Sequence, residues 1–213
     1  MNEIVKWFYE TRLQEAVRNL IKHEFEAISV SDRLAACMEI LKRVSPDKTI
    51  GVGGSITIRE IGIIDKLREQ GNIVYDHWKE GLTKEESLRI RKKQQSSNVY
   101  LTSANAITIN GEIVNVDGFC NRISSMSFGP EEVIFVAGKN KIVKDIKEGL
   151  ERIKNIAAPM NARRFGADTP CASLGRCVDC NVPQRICRGT LILERRPFNT
   201  KMLVILVMED LGF

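Results

Sequence analysis

The sequence predicts an α/β fold, a mostly parallel sheet flanked by helices with an inserted β-hairpin. Three observations carry this. From residue 49 onward, short apolar runs alternate with amphipathic stretches of helical period, which is the pattern of βαβ units. Asn110-Gly111 joins two runs of alternating residues, and that dipeptide is the strongest short hairpin signal. A chain of 213 residues with 43% hydrophobic and 28% charged content suits one α/β domain with a core of its own.

The elements follow in order. Residues 3–24 place Ile4, Phe8, Val17, Leu20 and Ile21 at roughly helical spacing. Ser31 stands as the N-cap of a second helix through Leu34, Met38 and Leu41, so residues 1–45 are expected to hold the N-terminal helices. Cys37 shares that face and reads as a buried small hydrophobe. Residues 49–52 read as a strand, 57–70 as a helix stopped by Gly71, and 72–76 as a second strand. Thr83 and Glu86 have the spacing of a capping box that opens a helix to about residue 95, and 99–103 is a third strand. The hairpin arms are 106–110 and 112–116. Residues 132–137 return as a strand, and 141–160 read as one long helix. Two last strands, 190–194 and 202–208, are expected to pair with each other around Arg196-Pro197-Phe198-Asn199. There is no internal repeat, low-complexity stretch or linker, so residues 1–213 are expected to form one domain.

Charge and targeting signals narrow the class. The net charge of +5 favours anionic ligands weakly, and without an arginine-rich tail or basic–aromatic alternation it does not argue for nucleic acid. The first seventeen residues read as an amphipathic helix rather than a signal peptide. The longest apolar run, residues 202–208, is too short to span a bilayer as a helix. A cytoplasmic protein with reduced thiols and no membrane partner is the expectation.

Four cysteines then crowd into residues 171–187. Cys171, Cys177, Cys180 and Cys187 follow the spacing C-x5-C-x2-C-x6-C. Thiolates suit zinc or iron–sulfur clusters, and four complete a site, so loop 170–188 is expected to bind metal. An iron–sulfur cluster, of the 4Fe-4S kind, ranks first, because Arg176, Arg185 and Arg188 offset cluster charge while Pro170 and Pro183 stiffen the loop. Structural zinc is the alternative. With one CxxC, the spacing is neither a two-knuckle ribbon nor the ferredoxin run.

Ligand candidates lie earlier in the chain. Gly51, Gly53, Gly54, Ser55 and Thr57 sit between a strand and a helix, where backbone amides and hydroxyls hold anions; the plainer reading is a tight turn capped by Ser55. Asn105 ends a strand just before the hairpin. Asp117, Gly118, Asn121 and Arg122 share one turn. There Asp117 is a candidate base or hydroxyl-binding group and Arg122 a candidate carboxylate clamp, against an Asp-Gly turn with a surface arginine. His77 follows a strand end and is the better site candidate of the two histidines.

Several stretches together resemble one family. TSANAITINGEIVNVDGFCNRISSMSFGPEEVIFVAGKNKIV, YDHWKEG and VILVMEDLGF look like the LUD domain, the lactate-utilisation protein family, and the cysteine loop resembles a subset of it. The resemblance implies a fold similar to the sugar-phosphate isomerase and CoA-transferase superfamily. It also implies phosphate-like groups at Gly51, Gly53, Gly54, Ser55 and Thr57, and a crevice lined by Asn105, Asp117, Gly118, Asn121 and Arg122. One departure is Cys120, where the family pattern has a small residue, usually glycine; a side chain there would narrow the crevice or add a reactive thiol.

The function implied is oxidation of L-lactate or a similar 2-hydroxy acid with iron–sulfur or flavin partner subunits, since no flavin or nicotinamide motif is present in the chain. The alternative is an enzyme or binding module for a phosphorylated sugar, CoA ester or other small anionic metabolite, with zinc in a structural role. No catalytic lysine, glutamate or histidine is clearly placed, and assembly into a homo-oligomer is open.

Overall fold

The computed structural model describes residues 2–213. The chain opens with α1 (Glu3–Lys22), β1 (Glu26–Val30) and α2 (Arg33–Arg43), followed by β2 (Thr49–Val52), α3 (Ile56–Glu60), α4 (Ile63–Gln70) and β3 (Ile73–Asp76). Next come α5 (Lys84–Gln95), β4 (Val99–Thr102), β5 (Ala106–Thr108), β6 (Ile113–Asp117), α6 (Asn121–Ser127) and β7 (Glu132–Gly138). A single 3-10 turn (Lys139–Lys141) leads to β8 (Ile142–Val143) and α7 (Ile146–Arg152). A π-helical turn (Ile153–Ala157) joins α7 to α8 (Ala158–Arg164), and α9 (Pro170–Leu174), β9 (Gly189–Leu193) and β10 (Lys201–Val207) complete the chain.

Two sheets form among the described residues. Six strands in the order β1-β10-β7-β4-β2-β3 pair in parallel throughout. A smaller sheet has the order β8-β5-β6-β9 and contains the hairpin β5–β6. The strand period of two divides the core into faces. Ile134, Val136, Ile205 and Val207 meet Ile40, Ile58, Ile63 and Leu67 of α2–α4 on one face. Phe135, Ala137, Val204 and Leu206 meet Leu13 and Leu20 of α1, Met126 of α6 and Ile113 of the small sheet on the other. The far side of the small sheet is covered by Ile153 and Ala158.

Several sequence expectations need correction. The stretch 1–45 is not helical throughout, because β1 intervenes as an edge strand on β10. Asp32, not Ser31, caps α2; its Oδ1 accepts the Ala35 amide at 2.8 Å while the Ser31 hydroxyl donates to Oδ2 at 2.7 Å. The helix expected over 57–70 breaks at Gly62, whose φ of 68° is left-handed and ends the first segment. The helix expected over 141–160 starts only after Asp145, which caps α7 through the Glu148 amide, and it runs on to Arg164. The expected pairing of 190–194 with 202–208 does not occur. β9 extends the small sheet beside β6, and β10 lies inside the large one between β1 and β7. Residues 202–207 are all buried, the pattern of a parallel strand covered on both faces.

Candidate functional site

The large sheet delivers its site residues from one edge. The strand order reverses at β2, with β3 on one side and β4 on the other. The carboxyl ends of these neighbouring strands place Gly54, His77 and Asn105 on one rim, where open α/β sheets bind ligands. The turn between β6 and α6 and the helices α5 and α8 close a crevice of about 370 Å³ over that rim. It brings together Gly54, His77, Asn105, Asp117, Gly118, Asn121 and Arg122.

The rest of the glycine-rich loop packs behind this surface. A β-carbon at Gly51 would lie 2.7 Å from Ser97 Oγ and 2.8 Å from the Gln94 carbonyl oxygen, and one at Gly53 would lie 2.9 Å from the Tyr100 hydroxyl. Both glycines are therefore set by close packing. The Ser55 hydroxyl accepts the Ile58 amide as the cap of α3. Thr57 is buried, with its hydroxyl between Lys141 Nζ (2.9 Å) and the Leu211 carbonyl.

Asp117 holds the far wall. Its carboxylate accepts the amides of Phe119 (3.2 Å), Arg122 (2.9 Å) and Ile123 (3.3 Å), which fixes the turn and the start of α6. Arg122 donates through Nη2 to Asn105 Oδ1 (3.1 Å) and the Val116 carbonyl (2.7 Å), and no carboxylate pairs with its side chain among the described residues. Cys120, between them, has φ 60°, a left-handed backbone that glycine adopts most easily. Its Sγ packs against Gly189, 2.5 Å from where a β-carbon would sit, and is not part of the crevice lining.

Sequence reasoning missed Arg91, Arg164 and Trp78. Arg164 lies over the Trp78 ring (4.4 Å) and the Phe165 ring (4.0 Å), and Arg91 over Phe119 (4.4 Å). Burial lowers the pKa of both arginines, yet a guanidinium stays charged at neutral pH. Arg59 also lies over Trp78 (4.3 Å) and pairs with Asp76 at 2.7 Å. Burial works to raise the pKa of Asp76, but Arg59 and the Trp78 amide outweigh it and hold the carboxyl below its usual range. With Asp117 engaged by amides and Asp76 by arginines, the crevice presents three guanidinium groups, from Arg91, Arg122 and Arg164, without a free acid among its lining residues.

Lys141 is a fourth residue that the sequence reading did not single out. It is 3% exposed and donates to Thr57 Oγ1 and Ser103 Oγ, both at 2.9 Å. Burial pushes its ammonium down to about 7, and Arg152 and Arg122 add to that shift. The signal in the sequence is faint, one lysine after a strand end in residues 138–142, and nothing local marks it as buried.

The four clustered cysteines converge. Cys171, Cys177, Cys180 and Cys187 line a second cavity of about 270 Å³. Burial pushes the Cys187 thiol up, Arg185 pulls it down, and Cys177, Cys171 and Cys180 add to the upward push across the cavity. Arg185 ties the loop by donating to the carbonyls of Cys180 and Cys187 and pairing with Asp179 at 2.9 Å. No group of three or more His, Cys, Asp or Glu among the described residues is gathered tightly enough to hold one metal ion. The two cavities share walls: Ile186 and Cys187 line both, with Val116, Ile153 and Ala158. The cysteine loop thus adjoins the crevice. No helix among the described residues is long and apolar enough to cross a membrane.

Comparison with known proteins agrees with this architecture. No curated protein matches the sequence. The fold is similar to the crystal structure of a DUF162 family protein from Deinococcus radiodurans, with a TM-score of 0.54 and 15% identity over 93% of this chain and 98% of that one. The LUD domain model matches residues 13–207, nearly the whole chain and all the crevice-lining residues. The chain is a member of the LUD domain family.

Proposed function

We propose that this chain takes part in oxidation of a 2-hydroxy acid of the L-lactate type together with redox partner subunits. It would hold an iron–sulfur centre at Cys171, Cys177, Cys180 and Cys187 and a small anionic metabolite in the arginine-lined crevice. The observation that carries the reading is the shared wall: Ile186 and Cys187 face both the thiol cavity and the crevice.

Four cysteine thiols are the donor type such a centre takes, and they line one cavity without being gathered around a single ion position. Four thiols around one cavity suit a cluster, and the Arg185 guanidinium beside them offsets the charge that thiolates and cluster would bring. When bound, such a cluster supplies one-electron redox chemistry. The four cysteines would hold it, Val116, Leu150 and Ile153 would wall it from water, and Arg91, Arg122 and Arg164 would hold an anion in the adjoining crevice.

Crevice size favours a second reading. About 370 Å³ lies in the range that accommodates drug-sized molecules and is generous for a three-carbon acid. A larger anion, such as a phosphorylated sugar or a CoA ester, would fill it better, with zinc as a structural brace. Two measurements separate the readings. Iron and acid-labile sulfide on anaerobically purified protein test the cluster. Calorimetric titration with L-lactate, pyruvate, a sugar phosphate and CoA tests the ligand. Iron with sulfide and binding of the hydroxy or oxo acid support the first reading; zinc alone with binding only of the larger anions supports the second.

A further inference from the structure

We infer that the crevice takes a carboxylate carrying an apolar tail of several carbons, with the tail against the wall shared with the thiol cavity. The inference rests on the reading of the crevice as a small-anion site and narrows which anion it takes.

Two kinds of surface line the crevice. The wall it shares with the thiol cavity is made by Val116, Ile153, Ala158, Ile186 and Cys187. Four of these side chains are hydrocarbon, and the fifth is a thiol, a weak hydrogen-bonding group. Arg91, Arg122 and Arg164 line the crevice alone. Arg91 is open to an anion, because its Nε is buried without an acceptor among the described residues. The apolar side is built to leave space. Ile153 and Ala157 enter the lining from the π-helical turn, a feature frequent at functional sites, and Ala158 follows at the start of α8. Two successive alanines leave room that larger side chains would fill. Phe119, 76% exposed and backed by Arg91, adds an uncovered ring to the lining.

A hydroxylated body would find few partners there. Asn161 is engaged by its own helix: its Nδ2 donates to the Ala157 carbonyl (3.0 Å), and its Oδ1 accepts Arg164 Nη2 (3.0 Å). Asn105 Oδ1 accepts the Val116 amide (2.9 Å) and Arg122 Nη2 (3.1 Å), and the Asp117 carboxylate is taken by three amides. Sugar hydroxyls laid on Val116, Ile153, Ala158 and Ile186 would give up water and gain nothing in return. Methylene groups laid there gain about fourfold in affinity each. The crevice of about 370 Å³ has space for them beyond a three-carbon acid. The guanidinium groups therefore take the carboxylate, and the shared wall takes hydrocarbon.

The test is calorimetric titration of the full chain as purified. The probes are L-lactate, 2-hydroxybutanoate and 2-hydroxyhexanoate, with ribose 5-phosphate as the hydroxylated control. Affinity should rise about fourfold for each added carbon until the tail fills the space. Val116→Thr keeps the shape of the wall and adds a hydroxyl, and Ile186→Asn puts an amide on the loop side. Each should cut the gain from L-lactate to 2-hydroxyhexanoate about tenfold, with unchanged circular dichroism. Arg122→Gln should weaken the three acids alike. Equal binding of the three acids, or tighter binding of ribose 5-phosphate than of 2-hydroxyhexanoate, overturns the apolar tail and leaves the anion crevice standing. A gain that neither wall variant reduces puts the tail elsewhere and overturns it as well. If neither the acids nor the sugar phosphate bind the wild-type chain, the anion crevice fails and the apolar tail with it.

Discussion

A β-carbon on Gly118 would lie 2.9 Å from the carbonyl oxygen of Ile186. This places the backbone of the cysteine loop directly on the turn that holds Asp117 and Arg122, a contact reinforced by the Arg188 amide on the Asp117 carbonyl at 3.2 Å. Because the obstacle is backbone, it cannot swing aside as a side chain would. Gly118→Ala should force the loop outward, costing about 1–3 kcal/mol. Its melting temperature should fall, and metal held at the proposed centre should pass to a chelator faster than in the wild-type chain. Unchanged stability and metal retention would show that the contact is loose.

Cys120 and Gly189 should be coupled. The Cys120 Sγ occupies the space a side chain at Gly189 would need, 2.5 Å from the site of its β-carbon. Gly189→Ala should destabilise by about 1–3 kcal/mol through overpacking. Adding Cys120→Gly removes the thiol and also relieves the left-handed backbone, so the double variant should recover most of that loss. Urea unfolding of the four proteins measures the cycle; strictly additive effects would rule out the contact.

Lys141 should make stability climb with alkaline pH. Its folded pKa of about 7 lies below the ordinary lysine value of 10.5, so the unfolded chain binds the extra proton between those limits. Stability should therefore rise as pH increases from about 7 toward 10.5, by no more than about 1.4 kcal/mol per unit. Lys141→Met should flatten that rise and be at least as stable at pH 7. The hydroxyls of Thr57 and Ser103 still donate to the carbonyls of Leu211 and Ala104 in its absence. Urea midpoints for the two proteins across this range make the comparison.

His77 should work on the acid side. Burial and the Arg91 charge lower its pKa from 6.5 to about 4, against the opposing pull of Asp76 and Gln94, with Arg59 adding to the lowering. The unfolded chain binds the extra proton in this window, so stability present above pH 6.5 should be lost as pH falls toward 4. His77→Gln should lose less stability over that interval than the wild-type chain. Equal acid sensitivity of the two would contradict a neutral, buried imidazole.

Local signals in the sequence were read well where one residue pair decides the geometry. Thr83 and Glu86 form the expected capping box, and Asn110-Gly111 turns the hairpin with Gly111 at φ 101°. The glycine-rich turn lies at the carboxyl end of β2 as expected, but only Gly54 reaches the crevice, because Gly51 and Gly53 are claimed by packing against Ser97 and Tyr100. What was not legible depends on long-range order. The apolar run 202–208 does not say which strands will flank it, and periodicity cannot show that α8 will carry Arg164 over Trp78 from 86 residues away. Burial of Lys141 arises from the chain crossing Thr57 and Ser103, which its own neighbours in sequence do not reveal.

Whether Cys171, Cys177, Cys180 and Cys187 hold the proposed iron–sulfur centre is decided by metal analysis. Iron, zinc and acid-labile sulfide should be measured, with a visible spectrum, on protein purified without oxygen. Near-stoichiometric iron and sulfide that disappear in a Cys177→Ser/Cys180→Ser variant are expected. One zinc per chain and no iron, or a chain that carries no metal at all, would contradict it.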